Sequence, residues 1–199
     1  MIIIAEAGLA WNDFNQAAEL AEIAKEIGAD IVKYQWVENM SLPQLGVGEW
    51  KALKGYCDKI GIEFLCTPSS KEILRRLKNM GVKKLKIGSD RTEDFELYGN
   101  EFDSFEDVLI SNGYTENEYT NMYCVSLYPC EEKYIDFEVA QKYRGFSDHT
   151  KRNDVAWCEQ IKSCNFEYYE KHITNGYHSV DSEVSLTADQ FAELIENLK

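Results

Sequence analysis

The chain of 199 residues sets 35 Asp and Glu against 21 Lys and Arg, and its formal charge of −14 excludes an ordinary duplex-binding module, which needs a basic surface. A hydrophobic content of 44%, with 13% aromatic residues, excludes a disordered chain and suits a single domain over residues 1–199. No apolar run approaches the roughly 18 to 20 residues that cross a bilayer, and Glu6 interrupts the opening Met1–Ala5 before a signal-type region forms, so the expected location is the cytoplasm.

Short apolar runs alternate with longer amphipathic ones along the whole chain, the pattern of βα units around a parallel sheet. Ile2–Ala5 reads as the first strand. Phe14–Ile27 then sets Ala17, Ala21 and Ala24 beside Leu20 at helical spacing, and Gly28 follows as a stop. Asp30–Tyr34 is the second strand, Trp50–Ile60 a helix closed by Gly61, and Ile62–Cys66 the third strand. Ser69 or Ser70 caps a helix reaching Met80, and Leu85–Ile87 is strand four. The acidic stretch Ser89–Asp107 is weakly periodic. Strands five and six, Val108–Ile110 and Met122–Val125, stand so close that a full helix barely fits between them. The helix Glu132–Tyr143, strand Gly145–Ser147, helix Asp154–Ser163, strand Phe166–Glu170 and a last helix from Thr187 to Leu198 complete the order. Eight strands in this order predict a compact α/β fold, a closed (β/α)8 barrel with shortened helices around strands four to six. A bare barrel side there predicts self-association between strands five and six as a homo-oligomer. The six cysteines form no CxxC pair and are expected to be reduced thiols.

Function in such a barrel gathers where strands end and loops begin. Glu6 follows strand one, Lys33 and Gln35 end strand two, Thr67 follows strand three, and Lys86 and Ser89 flank the end of strand four. Ser111 follows strand five, Ser126 and Tyr128 strand six, Ser147, Asp148 and His149 strand seven, and Glu170, Lys171 and His172 end strand eight. Two ammonium groups among several hydroxyls suit a small phosphate ester. His149 and His172 end consecutive strands, about 4.8 Å apart, and can meet on one metal ion; imidazole mixed with oxygen ligands favours Mn²⁺, Mg²⁺ or a similar Lewis-acidic divalent ion over structural zinc.

Ile4-Ala5-Glu6-Ala7-Gly8, Ala29-Asp30-Ile31-Val32-Lys33-Tyr34-Gln35, Phe64-Leu65-Cys66-Thr67-Pro68, Leu85-Lys86-Ile87-Gly88-Ser89, Tyr128-Pro129, Gly145-Phe146-Ser147-Asp148-His149-Thr150 and Glu170-Lys171-His172-Ile173-Thr174 follow one another here. In that order they resemble the sialic acid synthases, which condense phosphoenolpyruvate with N-acetylmannosamine or a related amino sugar to give nonulosonic acids. The resemblance implies that His149 and His172 hold a divalent metal and that Lys33, Thr67, Lys86, Ser89, Ser111 and Ser147 hold phosphoenolpyruvate. It implies that Glu6, Gln35, Tyr128, Glu170 and Asp181 face the sugar, with Glu6, Glu170 and Lys171 as the catalytic set and Ser126 standing where an amide is common. Leu9-Ala10-Trp11-Asn12 replaces an Asn-Asn-His-like stretch of the family and is expected to put apolar groups near the mouth. The family's C-terminal antifreeze-like domain, which contributes an arginine to the sugar from a partner, has no counterpart in these residues, so the expectation includes a separate lid-bearing protein. The rival expectation is a non-catalytic or regulatory homologue that binds a metal or a phosphorylated metabolite.

Overall fold

The computed structural model describes residues 1–38, 41–42, 44–89, 98–112, 119–177 and 181–199. Eight parallel strands, β1 (Ile2–Gly8), β2 (Ile31–Trp36), β3 (Glu63–Pro68), β4 (Lys84–Ile87), β5 (Asp107–Ser111), β6 (Thr120–Cys124), β7 (Gly145–Asp148) and β8 (Tyr168–His172), close into a barrel in sequence order. This is a (β/α)8 barrel, as expected. Outside it lie α1 (Phe14–Glu26), α2 (Val47–Ile60), α3 (Lys71–Asn79), α4 (Phe137–Ala140), α5 (Val155–Ser163) and α6 (Ala188–Leu198).

Local chemistry sets the helix starts. The side chains of Asp13, Ser70, Asp154 and Thr187 each accept a hydrogen bond from a backbone N–H in the first turn of α1, α3, α5 and α6. Ser70 is therefore the cap of α3, while Ser69 Oγ accepts from the Glu38 N–H instead.

Strand alternation divides the apolar residues into two separate clusters. Ile4, Ile31, Leu65, Leu109, Met122 and Tyr168 fill the inside of the barrel, and a larger cluster, including Ala5, Val32, Tyr34, Trp50 and Phe191, fills the space between barrel and helices. The inner layer is tight at Gly145, where a Cβ would stand 3.0 Å from Tyr168 Cβ and 3.1 Å from Met122 Cγ. Above this plug, the next inward position is polar on every strand but β6, where it is Cys124, and there the site begins.

Three expectations change. The helix over Glu132–Tyr143 is a 3₁₀ turn, Glu132–Tyr134, and then the single turn α4. Asp136 separates them: its side chain caps Val139 N–H at 3.1 Å, and its own N–H donates to Tyr123 Oη at 3.0 Å, which holds Asp136 extended. Strand eight runs to His172 rather than stopping at Glu170, and strand one runs through Glu6 to Gly8. Among the described residues the β4–β5 connection holds a 3₁₀ segment, Gly99–Ser104; residues 90–97 and 113–118, which carry the rest of the expected shortened layer, lie outside the described residues. The outward residues of β5, Val108 and Ile110, are each only 1% exposed.

Candidate active site

Glu6 on β1, Lys33 on β2, Lys86 on β4, Ser111 on β5, Ser147 on β7 and Glu170 on β8 are all buried at the C-terminal mouth of the barrel. The hub is Glu170 Oε1. It accepts from Ser147 Oγ at 2.7 Å and from Lys86 Nζ at 3.4 Å, and Lys33 Nζ lies 3.9 Å away. Lys86 Nζ also donates to Ser111 Oγ at 2.7 Å. Lys33 makes a close ion pair with Glu6, and Gln35 Nε2 approaches Glu6 Oε1 at 3.5 Å. Ser126 Oγ, on the exposed rim, donates to Ser89 Oγ at 2.7 Å. The cross-strand register explains the assembly, because Glu6 pairs with Lys33 and His172, and Ser147 with Glu170.

The two carboxylates behave differently. Burial raises the Glu6 carboxyl to about 7, with Lys33 pulling it down and the Glu170 charge pushing it up. Burial would raise Glu170 as well, but Lys33, Lys86 and Ser147 together hold it down at about 2. Lys33 stays protonated because Glu170 and Glu6 outweigh its desolvation. Near neutral pH the mouth thus holds two cations, one fixed anion and one carboxyl that shares its proton.

His149 and His172 lie side by side at the ends of the adjacent strands β7 and β8, with ring centroids 5.4 Å apart. The Tyr128 ring lies over His149, with centroids 4.1 Å apart. Since Val125 O can only accept, His149 Nδ1 donates to it at 2.8 Å, and the Nε2 lone pair is left for another partner. His172 Nδ1 is buried without a hydrogen bond, 3.8 Å from Asp181 Oδ2. Burial lowers both imidazoles, so both favour the neutral form that binds cations. Among the described residues no three His, Cys, Asp or Glu converge on one point. Two neutral imidazoles, one already held by a backbone carbonyl, fit a divalent ion whose other ligands are oxygens from substrate or solvent. Thr67 Oγ1 and Glu170 Oε2 are also buried without a hydrogen bond, as expected of groups that meet a polar ligand.

Asp181 reaches the mouth beside Gly8, whose φ of +46° and missing Cβ leave space, because a Cβ there would stand 2.8 Å from Glu6 Oε1 and 2.9 Å from Asp181 Oδ2. Two sequence expectations are not met. Lys171 lies on the opposite side of β8 from Glu170 and His172, with its ammonium on Asp148 and Thr150, so it does not join the mouth. Trp11 is 1% exposed, packs edge-on against Trp50 and donates Nε1 to Gly8 O, so it belongs to the outer core and adds nothing apolar to the mouth. Sequence reasoning missed Cys124, whose Sγ lies 3.8 Å from His149 Nδ1. Period-two alternation from Met122, an interior residue, would have found it.

Residues 36–199 match the NeuB family. The chain belongs to that family. Among curated proteins, this NeuB-family chain is 25% identical to an N,N'-diacetyllegionaminic acid synthase of Campylobacter jejuni, over 87% of the chain and 67% of that protein. It is 21% identical to the human N-acetylneuraminate-9-phosphate synthase, over 99% of the chain and 69% of that protein. Among solved structures, the N-acetylneuraminic acid synthetase of Leptospira borgpetersenii superposes with a TM-score of 0.86 at 27% identity, covering 99% of this chain and 82% of that one. The relatives are synthases of the sialic acid type. No helix among the described residues is long and apolar enough to cross a membrane.

Proposed function

We propose that this NeuB-family chain condenses phosphoenolpyruvate with an amino sugar or related aldose, giving a nonulosonic acid and inorganic phosphate. The observation that carries the reading is the buried mouth layer, in which two lysines and two hydroxyls surround one fixed carboxylate beside a pair of neutral imidazoles. Lys33, Thr67, Lys86, Ser89, Ser111 and Ser147 hold the phosphate and carboxylate of phosphoenolpyruvate. Glu6, Gln35, Ser126, Tyr128 and Asp181 face the acceptor. His149 and His172 would hold a divalent ion such as Mn²⁺ or Mg²⁺, which when bound polarises the acceptor aldehyde.

The chain's own groups account for the remaining chemistry. Carbon 3 of phosphoenolpyruvate attacks the aldehyde carbon, and positive charge grows at carbon 2, where the permanently ionised Glu170 stabilises it. Water adds at carbon 2. Glu6, near 7, takes or returns the proton that moves in this step. The carbon–oxygen bond to phosphate then breaks, with Lys33 and Lys86 offsetting the charge of the leaving group.

With Trp11 packed on Trp50 in the outer core, its ring puts no apolar surface beside the acceptor. Phosphate release from phosphoenolpyruvate, measured across an aldose panel with and without Mn²⁺, tests the proposal. Release that requires both acceptor and metal supports it. Thermal stabilisation by phosphoenolpyruvate without turnover on any aldose would favour a non-catalytic homologue, or a chain that needs a lid from a partner.

A further inference from the structure

Asp148 and Lys171 are register partners on β7 and β8, and both side chains are fully buried on the helix side of the barrel wall. Asp148 accepts from four donors. Thr150 N–H reaches Oδ1 at 2.7 Å, while Trp157 Nε1, Tyr169 Oη and Lys171 Nζ reach Oδ2 at 3.0, 2.5 and 2.9 Å. Lys171 Nζ donates further to Thr150 O and, at 3.1 Å, to Thr150 Oγ1.

Stability alone does not explain this network. A buried ion pair loses so much solvation that a well-packed apolar pair of similar volume is usually as stable. Nor is polarity alone sufficient: an Asn at 148 would turn its NH₂ toward a donor in either orientation, since all four partners donate. Location is the telling feature. The residues on either side of Asp148 are Ser147 and His149, and those on either side of Lys171 are Glu170 and His172, so the four inward neighbours of the pair are the site groups of these two strands. Lys171 also grips Thr150, the residue after His149, from both its carbonyl and its hydroxyl. The ring of His149 is held separately by Val125 O at 2.8 Å, and its carbonyl by Cys130 N–H at 2.9 Å.

We infer that the Asp148–Lys171 pair is a positioning device: it locks β7 against β8 and clamps the backbone at Thr150, which holds His149 where its ring reaches Val125 O and so keeps one tautomer and one orientation beside His172. Lys171 is then a positioning residue and touches no substrate. The inference rests on the proposed reading of the mouth as the reacting site, but its primary readout needs neither metal nor substrate.

That readout is the ¹⁵N and ¹H spectrum of the imidazole rings. The wild-type chain is expected to show His149 as one tautomer, with a protonated Nδ1. Lys171→Met keeps length and removes the clamp. The expected result is loss of the distinct Nδ1–H signal through tautomer averaging, and at least a tenfold weaker affinity for Mn²⁺ alone. Thr150→Val keeps the ion pair and the side-chain shape but removes Oγ1, which accepts from both Lys171 and Arg152 N–H, the latter at 3.2 Å. It is expected to broaden the same signal and weaken Mn²⁺ two- to threefold. Leu194→Ala, in the outer core, controls for loss of stability and should leave the imidazole signals unchanged. A folded Lys171→Met chain with a wild-type His149 signal overturns the inference. Should Lys171→Met fail to fold, an unchanged signal in Thr150→Val overturns it equally. If the wild-type chain binds no Mn²⁺, the metal reading fails, and the ring signals still decide this one.

Discussion

Glu6 and Glu170 are chemically identical side chains that share Lys33, and their surroundings drive them in opposite directions. Burial raises both, but Glu170 collects two lysines and a serine against it, whereas Glu6 has Lys33 alone and the repulsion of Glu170. The sign of the pH dependence follows. Folded Glu6 keeps its proton up to about 7 while the unfolded chain loses it near 4.5, so its contribution to stability falls as pH rises through that window. Folded Glu170, at about 2, contributes stability that is present above 4.5 and is lost as pH falls below it. Urea unfolding at pH 5 and pH 8 should therefore show wild type losing stability relative to Glu6→Gln, by about 2 to 3 kcal/mol at most; parallel pH profiles for the two chains would contradict it. Lys86→Ala and Ser147→Ala should each weaken phosphoenolpyruvate binding in calorimetry by about 1 to 3 kcal/mol, and unchanged affinity in both would remove them from the site. At this scale much was legible in the sequence, since polar residues at eight strand ends can be read off directly. Facing was not: with strand eight ended at Glu170, the run Glu170-Lys171-His172 reads as a loop converging on the mouth. Extending it by two residues makes alternation decide, and Lys171 turns outward.

The elements follow their caps and their crowding more than their average periodicity. Ile135, Val139 and Tyr143 recur at helical spacing, yet a cap residue in the middle of the run, Asp136, ends one turn and starts another. A capping side chain is legible only when its partner is known, and here part of that partner, Tyr123, comes from β6. Trp11 was misplaced for a similar reason: only the packed partner Trp50, on α2, shows which side of the wall it occupies. Packing gives a sharper prediction at Gly145. An added methyl would press on Tyr168 Cβ and on its carbonyl oxygen, each at 3.0 Å, and force β7 away from β8 just below Ser147 and Glu170. Gly145→Ala should cost about 1 to 3 kcal/mol in thermal unfolding and also weaken phosphoenolpyruvate binding. Thr187→Ala, which removes only the cap of α6, should cost about 1 kcal/mol and leave binding intact. Equal binding losses in the two variants would separate the effect from β7 placement.

For the whole molecule, charge sets a problem that the site must solve. The chain carries a formal −14, and among the described residues the buried carboxylates are Glu6, Asp148 and Glu170, so most of the negative charge faces solvent. Phosphoenolpyruvate is itself an anion, and the long-range field opposes its approach. Inside the mouth the sign reverses, because Lys33 and Lys86 face one fixed anion and a Glu6 that is partly protonated near neutral pH. Salt acts on these two fields unequally. Raising ionic strength from 0.01 to 0.15 M shortens the screening length from about 30 to about 8 Å, which suppresses the outer repulsion but hardly touches buried contacts of hydrogen-bond length. Phosphoenolpyruvate should therefore bind a few-fold more tightly at the higher salt, and its association rate should rise with it. Most anion sites with exposed lysines behave the opposite way. Titration calorimetry and stopped-flow binding across that range, run in chloride and again in glutamate to exclude competition by the added anion, measure the sign; affinity that falls steadily with salt in both would mean that exposed cations, rather than the buried lysines, carry the binding.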